Sequence, residues 1–411
     1  MSRTPLLHAA MDQFAVHGAD LIASGETIAA LAAREETTPL YLYDRAVVDA
    51  QIQRVRDALP ERVHLHYAIK ANPMPELVSH IAAQVDGLDV ASLGELQIAM
   101  QSGMHHANIS FAGPGKRDEE LNLAIETGIV IHCESPGELD RIARIGAELG
   151  VAPRVALRVN PDFELKTSGM KMSGGPKPFG IDAEQVPAVL ARMAELDVQF
   201  IGFHIFSGSQ NLRPESIIEA QNASFELAAK LAEVAPGPVQ ILNIGGGFGI
   251  PYFPGEEWLD LAPIGANLHE QLAQLPAILR EAEIVVELGR YLVGPAGLYV
   301  CRVIDRKVSR GLVYLVTDGG LHHHLAASGN FGQVIRKNYP VAIANRMDST
   351  ERETVSIVGP LCTPLDLLAD RMELPQAEPG DLVVIYQSGA YGYSASPRAF
   401  LSHPDATERL I

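Results

Sequence analysis

From residue 41 onward, short apolar runs rich in β-branched and aromatic side chains alternate with longer stretches in which Ala, Leu and Glu recur at helical spacing. The runs are "VHLHYAI" (63–69), "DGLDVAS" (86–92), "NISFAG" (108–113), "GIVIHCE" (128–134), "RVALRVN" (154–160), "FIGFHIF" (200–206), "QILNIGG" (240–246) and "EIVVELG" (283–289). Their length and composition predict eight strands. Segments between them, such as "PMPELVSHIAAQV" and "SPGELDRIARIGAELG", open on Pro or Ser near a Glu and several close on Gly, the start and stop signals of helices. Eight strands alternating with helices predict a (β/α)8, TIM-like barrel; a doubly wound sheet is the other α/β fold that this count allows.

After about residue 295 the pattern changes. "GLYVCRVIDRKVSRGLVYLVTDGG", "ETVSIVGPLC" and "GDLVVIYQSGAY" alternate as strands between turn residues, which predicts a second, mostly antiparallel β-barrel or sandwich domain. The expected division is a barrel over 41–294 and a β domain built from 1–40 and 295–411. The early strand "TPLYLYD" (38–44) fits either. No Gly/Ser-rich linker separates the two, and no internal repeat is visible.

Composition narrows the function classes. The 411 residues are 47% hydrophobic and 20% charged, as in a globular enzyme. A formal net charge of −18 disfavours nonspecific binding to nucleic acid or to an anionic membrane. No apolar run is long enough to span a bilayer, and "MSRTPLLHAAMDQF" lacks a signal-peptide pattern, so a cytoplasmic protein is expected. Cys133, Cys301 and Cys362 are too scattered for a disulfide framework or a zinc site. The run His322 to His324 lacks partners at metal-ligand spacing, so no metal is expected.

In a (β/α)8 barrel the chemistry lies at the C-terminal ends of the strands. Those ends carry Lys70, Asp89 with Ser92, Gly113, Glu134, Arg158 with Asn160, His204 and Phe206, Gly245-Gly246-Gly247, and Glu287 with Arg290. Successive glycines after a strand let backbone N–H groups approach a phosphate; Ser207, Ser209 and Arg290 add donors. A lysine at the end of a half-buried strand is ordinarily a snorkelling surface residue. Combined with a phosphate cradle and the carboxylate of Glu287, it points to pyridoxal phosphate. That cofactor binds through its phosphate, forms a Schiff base with a lysine, and acts as an electron sink when a carboxylate keeps its ring nitrogen protonated.

The ordered set "YAIKANP", "GPGK", "LRVNP", "GSQ", "GGGFG", "ELGRY", "GPLC" and "GAYGYS" resembles the fold-type III pyridoxal phosphate decarboxylases, which include diaminopimelate, ornithine and arginine decarboxylases. The resemblance runs from about residue 38 to 400. It implies a cofactor-carrying barrel of the alanine racemase type, a C-terminal β domain, and a head-to-tail homodimer with sites at the subunit interface. Carried over by motif, Lys70 resembles the Schiff-base lysine and Glu287 the partner of the ring nitrogen. Ser209, the glycines from Gly245 to Gly247, Gly289, Arg290 and Tyr391 resemble cofactor ligands. Cys362 resembles the cysteine that a partner subunit inserts to protonate the substrate carbon.

Two departures bear on the site. Members commonly carry a His that stacks on the cofactor ring two residues before the Gly of "GSQ". Here Phe206 holds that position and His204 lies two residues earlier, so by the period of two either ring could stack. Diaminopimelate and ornithine enzymes place an acidic residue after the "GPLC" cysteine, opposite the distal amine; this chain has Thr363. An unpaired buried ammonium is costly, which argues against a free diamino acid.

The segments "KTSGMKMSGGPKPFGI" and "HHHLAASGNFGQVIRKNYPV", with "GFHIFSGSQNL", resemble a subgroup from biosynthetic gene clusters, including exosortase-associated decarboxylases and those acting on carrier-protein-tethered glutamyl groups. Lys166, Lys171, Lys177, Arg336 and Lys337 are candidate contacts for an anionic substrate or an acyl carrier protein's phosphopantetheine arm. The expected activity is pyridoxal phosphate-dependent decarboxylation of an amino acid or a conjugated or carrier-bound intermediate. The alternatives are diaminopimelate decarboxylation, an amino acid racemase on a related barrel, and a cofactor carrier without turnover.

Overall fold

A computed structural model describes residues 6–163, 170–171 and 175–411. Lys166 and the side chain of Lys171 lie outside the described residues. The chain forms two compact units. One, here the barrel unit, comprises Ile52–Gly249 and Leu259–Gly289; the other, the β unit, comprises residues up to Gln51, Ile250–Trp258 and Arg290–Ile411.

The barrel unit is built on β1 (Val63–Ala68), β2 (Gly87–Val90), β3 (Ile109–Phe111), β4 (Val130–Cys133), β5 (Arg154–Asn160), β6 (Gln199–Ile205), β7 (Ile241–Gly246) and β8 (Glu283–Leu288). Each pairs in parallel with the next. β8 pairs in parallel with β1, from Ile284 opposite Val63 to Leu288 opposite Tyr67, and so closes the sheet. Closure selects the (β/α)8 barrel over the doubly wound sheet, which has two free edges. Each predicted run coincides with one of these eight strands.

Seven helices return the chain between strands: α1 (Pro75–Ala82), α2 (Leu93–Gln101), α3 (Asp118–Thr127), α4 (Pro136–Leu149), α5 (Val186–Met193), α6 (Pro214–Ala232) and α7 (Ala262–Ala273). Their starts are fixed locally, and this bears on the site. Ser135 caps α4 by accepting from the amide of Glu138 (3.1 Å), and Glu138 reaches back to accept from the amide of Glu134 (2.7 Å). Ser92 and Glu95 do the same for α2 and Ala91. The helix start thereby pins the residue that leaves the preceding strand. Gly128 and Gly150 end α3 and α4 in the left-handed conformation that suits glycine. α4 buries Leu139, Ile142 and Ile145, each contributing ~1.5–3 kcal/mol of apolar burial.

The β unit is a second sheet formed by β9 (Gly297–Ser309), β10 (Leu312–Thr317), β11 (Arg352–Val358), β12 (Leu367–Pro375) and β13 (Leu382–Ile385), with Val341–Ile343 at one edge. Its pairings are antiparallel except β10 with β11 and Thr407–Leu410 with Leu40–Tyr43. Leu40–Tyr43, the strand that fitted either domain, pairs antiparallel with the first residues of β9. The expected boundary at residue 41 falls inside this strand. Residues 250–258 also cluster with the β unit, through Gly255 N to Leu7 O (2.8 Å) and Gln387 Nε2 to Pro251 O (3.1 Å). Such long-range pairing leaves no local mark in the sequence.

His322, His323 and His324 are buried in the β unit. The ring of His324 meets Ser388 Oγ at 2.9 Å, and that of His323 meets the carbonyl of Pro404 at 2.8 Å. They are packing residues; among the described residues no group of three or more His, Cys, Asp or Glu side chains is arranged to hold a metal ion. Cys133 and Cys301 are buried, Cys362 is exposed, and all three are free thiols. No helix among the described residues is long and apolar enough to cross a membrane.

Candidate active site

β1 ends at Ala68, and the chain turns at once through a short 3-10 segment, Ile69–Ala71. Asn72 stabilises the turn: its carbonyl accepts from Tyr67 OH (2.8 Å) and its Oδ1 from the amide of Met74 (3.1 Å). The turn lifts Lys70 off the strand into an exposed position, with Nζ 5.8 Å from the centroid of the Phe206 ring. Exposure alone fits a snorkelling lysine; its neighbours do not. Its charge acts on Glu287 at the end of β8.

Glu287 is buried, and both of its contacts fall on one oxygen. Oε2 accepts from Asn243 Nδ2 at 3.1 Å and lies 3.4 Å from His204 Nε2. Oε1 has no partner among the described residues. Burial on its own would raise the carboxyl's pKa. The charge of His204, 3.4 Å away, then the charges of Lys70 and Arg158, more than reverse this and hold the group well below the usual carboxylate range. Glu287 is therefore an anion throughout the working pH range.

The interior beneath Glu287 is polar on one side. Asp89 accepts from Ser110 Oγ at Oδ1, which also meets His66 Nδ1 at 3.2 Å. The rings of His132 and His204 lie 4.5 Å apart. A cavity of about 90 Å³ opens toward the N-terminal ends of the strands, lined by His66, Ser110, His132, Arg154, Asn243 and Glu283 among others. Val130, Ala156 and Ile201, backed by Ile241, fill the apolar side.

The two candidate stacking rings part company. His204 belongs to β6 and is buried inside the barrel. β6 stops at Ile205, so the period of two no longer governs Phe206, which turns out half-buried beside Lys70.

The glycine run closes β7. A Cβ on Gly246 would come within 2.0 Å of the Glu287 carbonyl, and one on Gly247 within 2.1 Å of the Gly208 carbonyl, so no other residue fits. Gly245 and Gly247 both have positive φ. The backbone of β7 thus lies directly against the ends of β6 and β8, the close approach that an anion cradle needs, with the amide of Gly245 held by Asn243 Oδ1 at 2.8 Å. Ser207 is buried and Ser209 half-buried on the adjoining segment. Gly289 packs against the Cβ of Ala71, beside the lysine turn. A cradle that only glycine can form, a carboxylate with one oxygen unengaged and an exposed amine on neighbouring strand ends fit pyridoxal phosphate.

Two expected site residues also have partners within the barrel. Arg158 Nη1 donates to Glu134 Oε1 at 2.7 Å, and its guanidinium lies over the Phe179 ring at 5.2 Å. Glu134 also accepts from the amides of Gly113 (2.5 Å) and Gly180 (3.1 Å), tying the loops after β3 and β5 together. Asp89 is engaged with His66 and Ser110 as described. Lys116 of "GPGK" is buried, its ammonium bonded to the carbonyls of Gly113 (2.6 Å) and His132 (3.0 Å) and paired with Glu138 (3.0 Å).

Arg290, Tyr391 and Cys362 belong to the β unit. Arg290 donates to Tyr252 OH at 2.8 Å and lies over the Tyr391 ring at 4.7 Å. Cys362 is exposed on the turn between β11 and β12. Asp366 holds that turn, its oxygens accepting from the amides of Leu361 (2.8 Å) and Leu321 (2.6 Å). Among the loop cations, Lys177 is half-buried, Arg336 donates to the carbonyl of Ser328, and Lys337 lies over the Phe253 ring. Asn243, His66, His132, Tyr252 and Asp366 did not stand out in the sequence. Asn243 could have been found as the polar residue just before the glycine run; the others carry no local signal.

Comparison with known proteins bears on this geometry. Residues 45–294 match the family described as pyridoxal-dependent decarboxylase, pyridoxal binding domain. The chain is 39% identical, over 93% of its length and 90% of the relative's, to the L-glutamyl-[BtrI acyl-carrier protein] decarboxylase of Niallia circulans. It is 33% identical to the diaminopimelate decarboxylase of Pseudomonas aeruginosa, over 94% and 90% of the two chains. Among solved structures, the diaminopimelate decarboxylase of M. jannaschii in co-complex with L-lysine superposes with a TM-score of 0.85 at 26% identity, covering 97% of this chain and 92% of that one. Sequence, fold and strand-end chemistry agree, and the chain belongs to the pyridoxal-dependent decarboxylases, carboxy-lyases that work with pyridoxal 5'-phosphate on amino acids and their derivatives.

Proposed function

We propose that this decarboxylase acts on a conjugated or carrier-tethered amino acid, of which a glutamyl group on an acyl carrier protein is the model, rather than on a free diamino acid. The observation that carries this reading is Thr363. Where a second substrate ammonium would need a carboxylate, the turn after Cys362 offers a hydroxyl that accepts from the amide of Leu365 (3.3 Å). Asp366, the nearest acidic side chain along the turn, is buried with both oxygens on backbone amides. The N. circulans relative, named for a glutamyl-carrier substrate, supports the same reading.

In this reading Lys70 would hold pyridoxal phosphate through its aldehyde carbon. Ser209, Gly246 and Gly247 would hold its phosphate. Glu287, being ionised, would accept from the ring nitrogen and keep it protonated. Phe206, beside Lys70, would pack against the cofactor ring. Bound pyridoxal phosphate supplies an electron sink for the pair left by the departing carboxylate. Cys362 of a second copy delivers a proton from Sγ to the substrate carbon, so the working form is a homodimer. Sedimentation of the loaded protein should give twice the 44.2 kDa chain mass, and a monomer that retains full activity would remove Cys362 from the mechanism.

The substrate is tested by carbon dioxide release from diaminopimelate, lysine, ornithine, arginine, glutamate and glutamyl-carrier protein. A buried charge left without its partner costs ~3–5 kcal/mol, so diaminopimelate should be turned over about 100- to 4,000-fold less efficiently than the glutamyl-carrier substrate. Comparable or faster turnover of diaminopimelate would overturn the reading of Thr363.

A further inference from the structure

The geometry points to His204 and Asn243 as a pair of positioning residues that aim Glu287 at the cofactor and tie it to the phosphate cradle, neither of them touching the cofactor. The inference rests on the cofactor reading of Glu287 given above and extends it to residues on two other strands.

A carboxylate can rotate about its last bond and present either oxygen. Here rotation is blocked from one side. Asn243 Nδ2 donates to Oε2 at 3.1 Å and His204 Nε2 lies 3.4 Å from the same atom, which leaves Oε1 as the oxygen without a partner among the described residues. Asn243 does a second thing with its other atom: Oδ1 accepts from the amide of Gly245 at 2.8 Å. One side chain therefore links the carboxylate that would meet the ring nitrogen to the first residue of the glycine run that would meet the phosphate. Opposite ends of one cofactor are thus held in register through a single amide on β7.

His204 completes the arrangement from β6. It is 1% exposed, and the His132 ring 4.5 Å away backs it, so its own rotation is restricted. Among the described residues neither ring nitrogen of His204 makes a hydrogen bond, so Nε2 holds Glu287 by the 3.4 Å charge contact alone; Nδ1 of His132 has no partner either, and the polar cavity below is lined by His132 and Asn243. That cavity is large enough for water, which can satisfy these nitrogens. Outer partners of this kind commonly control activity by about 10- to 100-fold in metal sites, through orientation of the group they hold.

The charged and titratable groups facing His204 are Glu287 on β8, His132 on β4 and Arg158 on β5, and the pair is best read directly. The full chain, labelled with ¹⁵N-histidine, is compared with its Glu287→Gln variant before cofactor is added. The His204 ring signals, identified by their loss in His204→Phe, should shift. The loaded enzymes are then compared. His204→Phe should keep stoichiometric pyridoxal phosphate, lose about 10- to 100-fold in kcat with little change in KM, and show an altered pH titration of the cofactor's visible band. His204→Gln, which retains an N–H donor, should restore most of both. Asn243→Leu should reproduce the His204→Phe losses and serves as the test if the His204 variants do not fold. Unshifted His204 signals in Glu287→Gln would overturn the proposal. So would wild-type kcat and band titration in His204→Phe, or loss of cofactor from it, since loss would mean direct contact. Failure of the wild type to bind pyridoxal phosphate would sink the cofactor roles assigned above while leaving the histidine signals as a separate reading of the pair.

Discussion

Lys70→Ala should abolish carbon dioxide release and the visible absorbance of bound cofactor while leaving the fold intact. Lys70 stands on a turn that Asn72 and Tyr67 hold in place, exposed and beside Phe206. Lys116, a second ammonium at the barrel's strand ends, cannot replace it, being buried and bonded to two carbonyls and Glu138. A loss of at least about 1,000-fold, or ~4 kcal/mol of barrier, is therefore expected. Because the side chain is exposed and makes no structural ion pair, stability should change by less than about 0.5 kcal/mol. Carbon dioxide assays, absorbance and a thermal melt read the three quantities. Survival of both turnover and absorbance would refute the role.

Much of this was legible because barrels are local. Each strand and helix of the barrel is one stretch of chain with its own period and its own caps, so strands such as Arg154–Asn160 fall where the pattern put them. Strand ends in such a fold face one mouth, which turned Lys70, Gly246 and Glu287 from scattered residues into one candidate site. The β unit was less legible, because Leu40–Tyr43 belongs to a sheet whose other strand lies more than 250 residues along the chain. His204 shows the limit at the level of one side chain. The sequence places it two residues from Phe206, but whether both face the mouth depends on where β6 stops, and Ile205 gives no sign of stopping. Asn243 and Asp366 were missed for a related reason: each matters through a backbone amide it accepts from, which composition does not reveal.

Acidification should unfold the protein well above the pH at which ordinary carboxylates protonate, and the β unit should yield first. Burial pushes His324 down to about 3, and burial with the neighbouring charges of His323 and His403 does the same to His322. Burial, with the charge of His204 adding to it, drives His132 in the barrel well below the usual imidazole range. In the unfolded chain each titrates near 6.5. Below that pH the unfolded state binds protons that the native state refuses, so stability falls as pH falls. Each such histidine contributes up to ~1.4 kcal/mol per pH unit, which makes about 2.7 for the β unit's pair and half that for the barrel's single residue. His66 opposes the trend. Burial lowers its pKa, but the charge and hydrogen bond of Asp89 and the charges of Glu283 and Glu287 win and raise it. Its contribution is fully present below 6.5 and is lost as pH rises through the raised value, which helps the barrel unit at the acid end. Native stability is typically ~5–15 kcal/mol, so a drop of two pH units removes a large share of it from the β unit. Denaturant melts followed by circular dichroism at pH 7, 6 and 5 should show this slope. Since His324 bonds to Ser388 and accepts from the amide of Ala327, His324→Gln should weaken the protein at pH 7 yet flatten the pH dependence by about one proton. A midpoint that does not move between pH 7 and 5 would mean that these rings are hydrated and titrate freely, contrary to the packing that buries them.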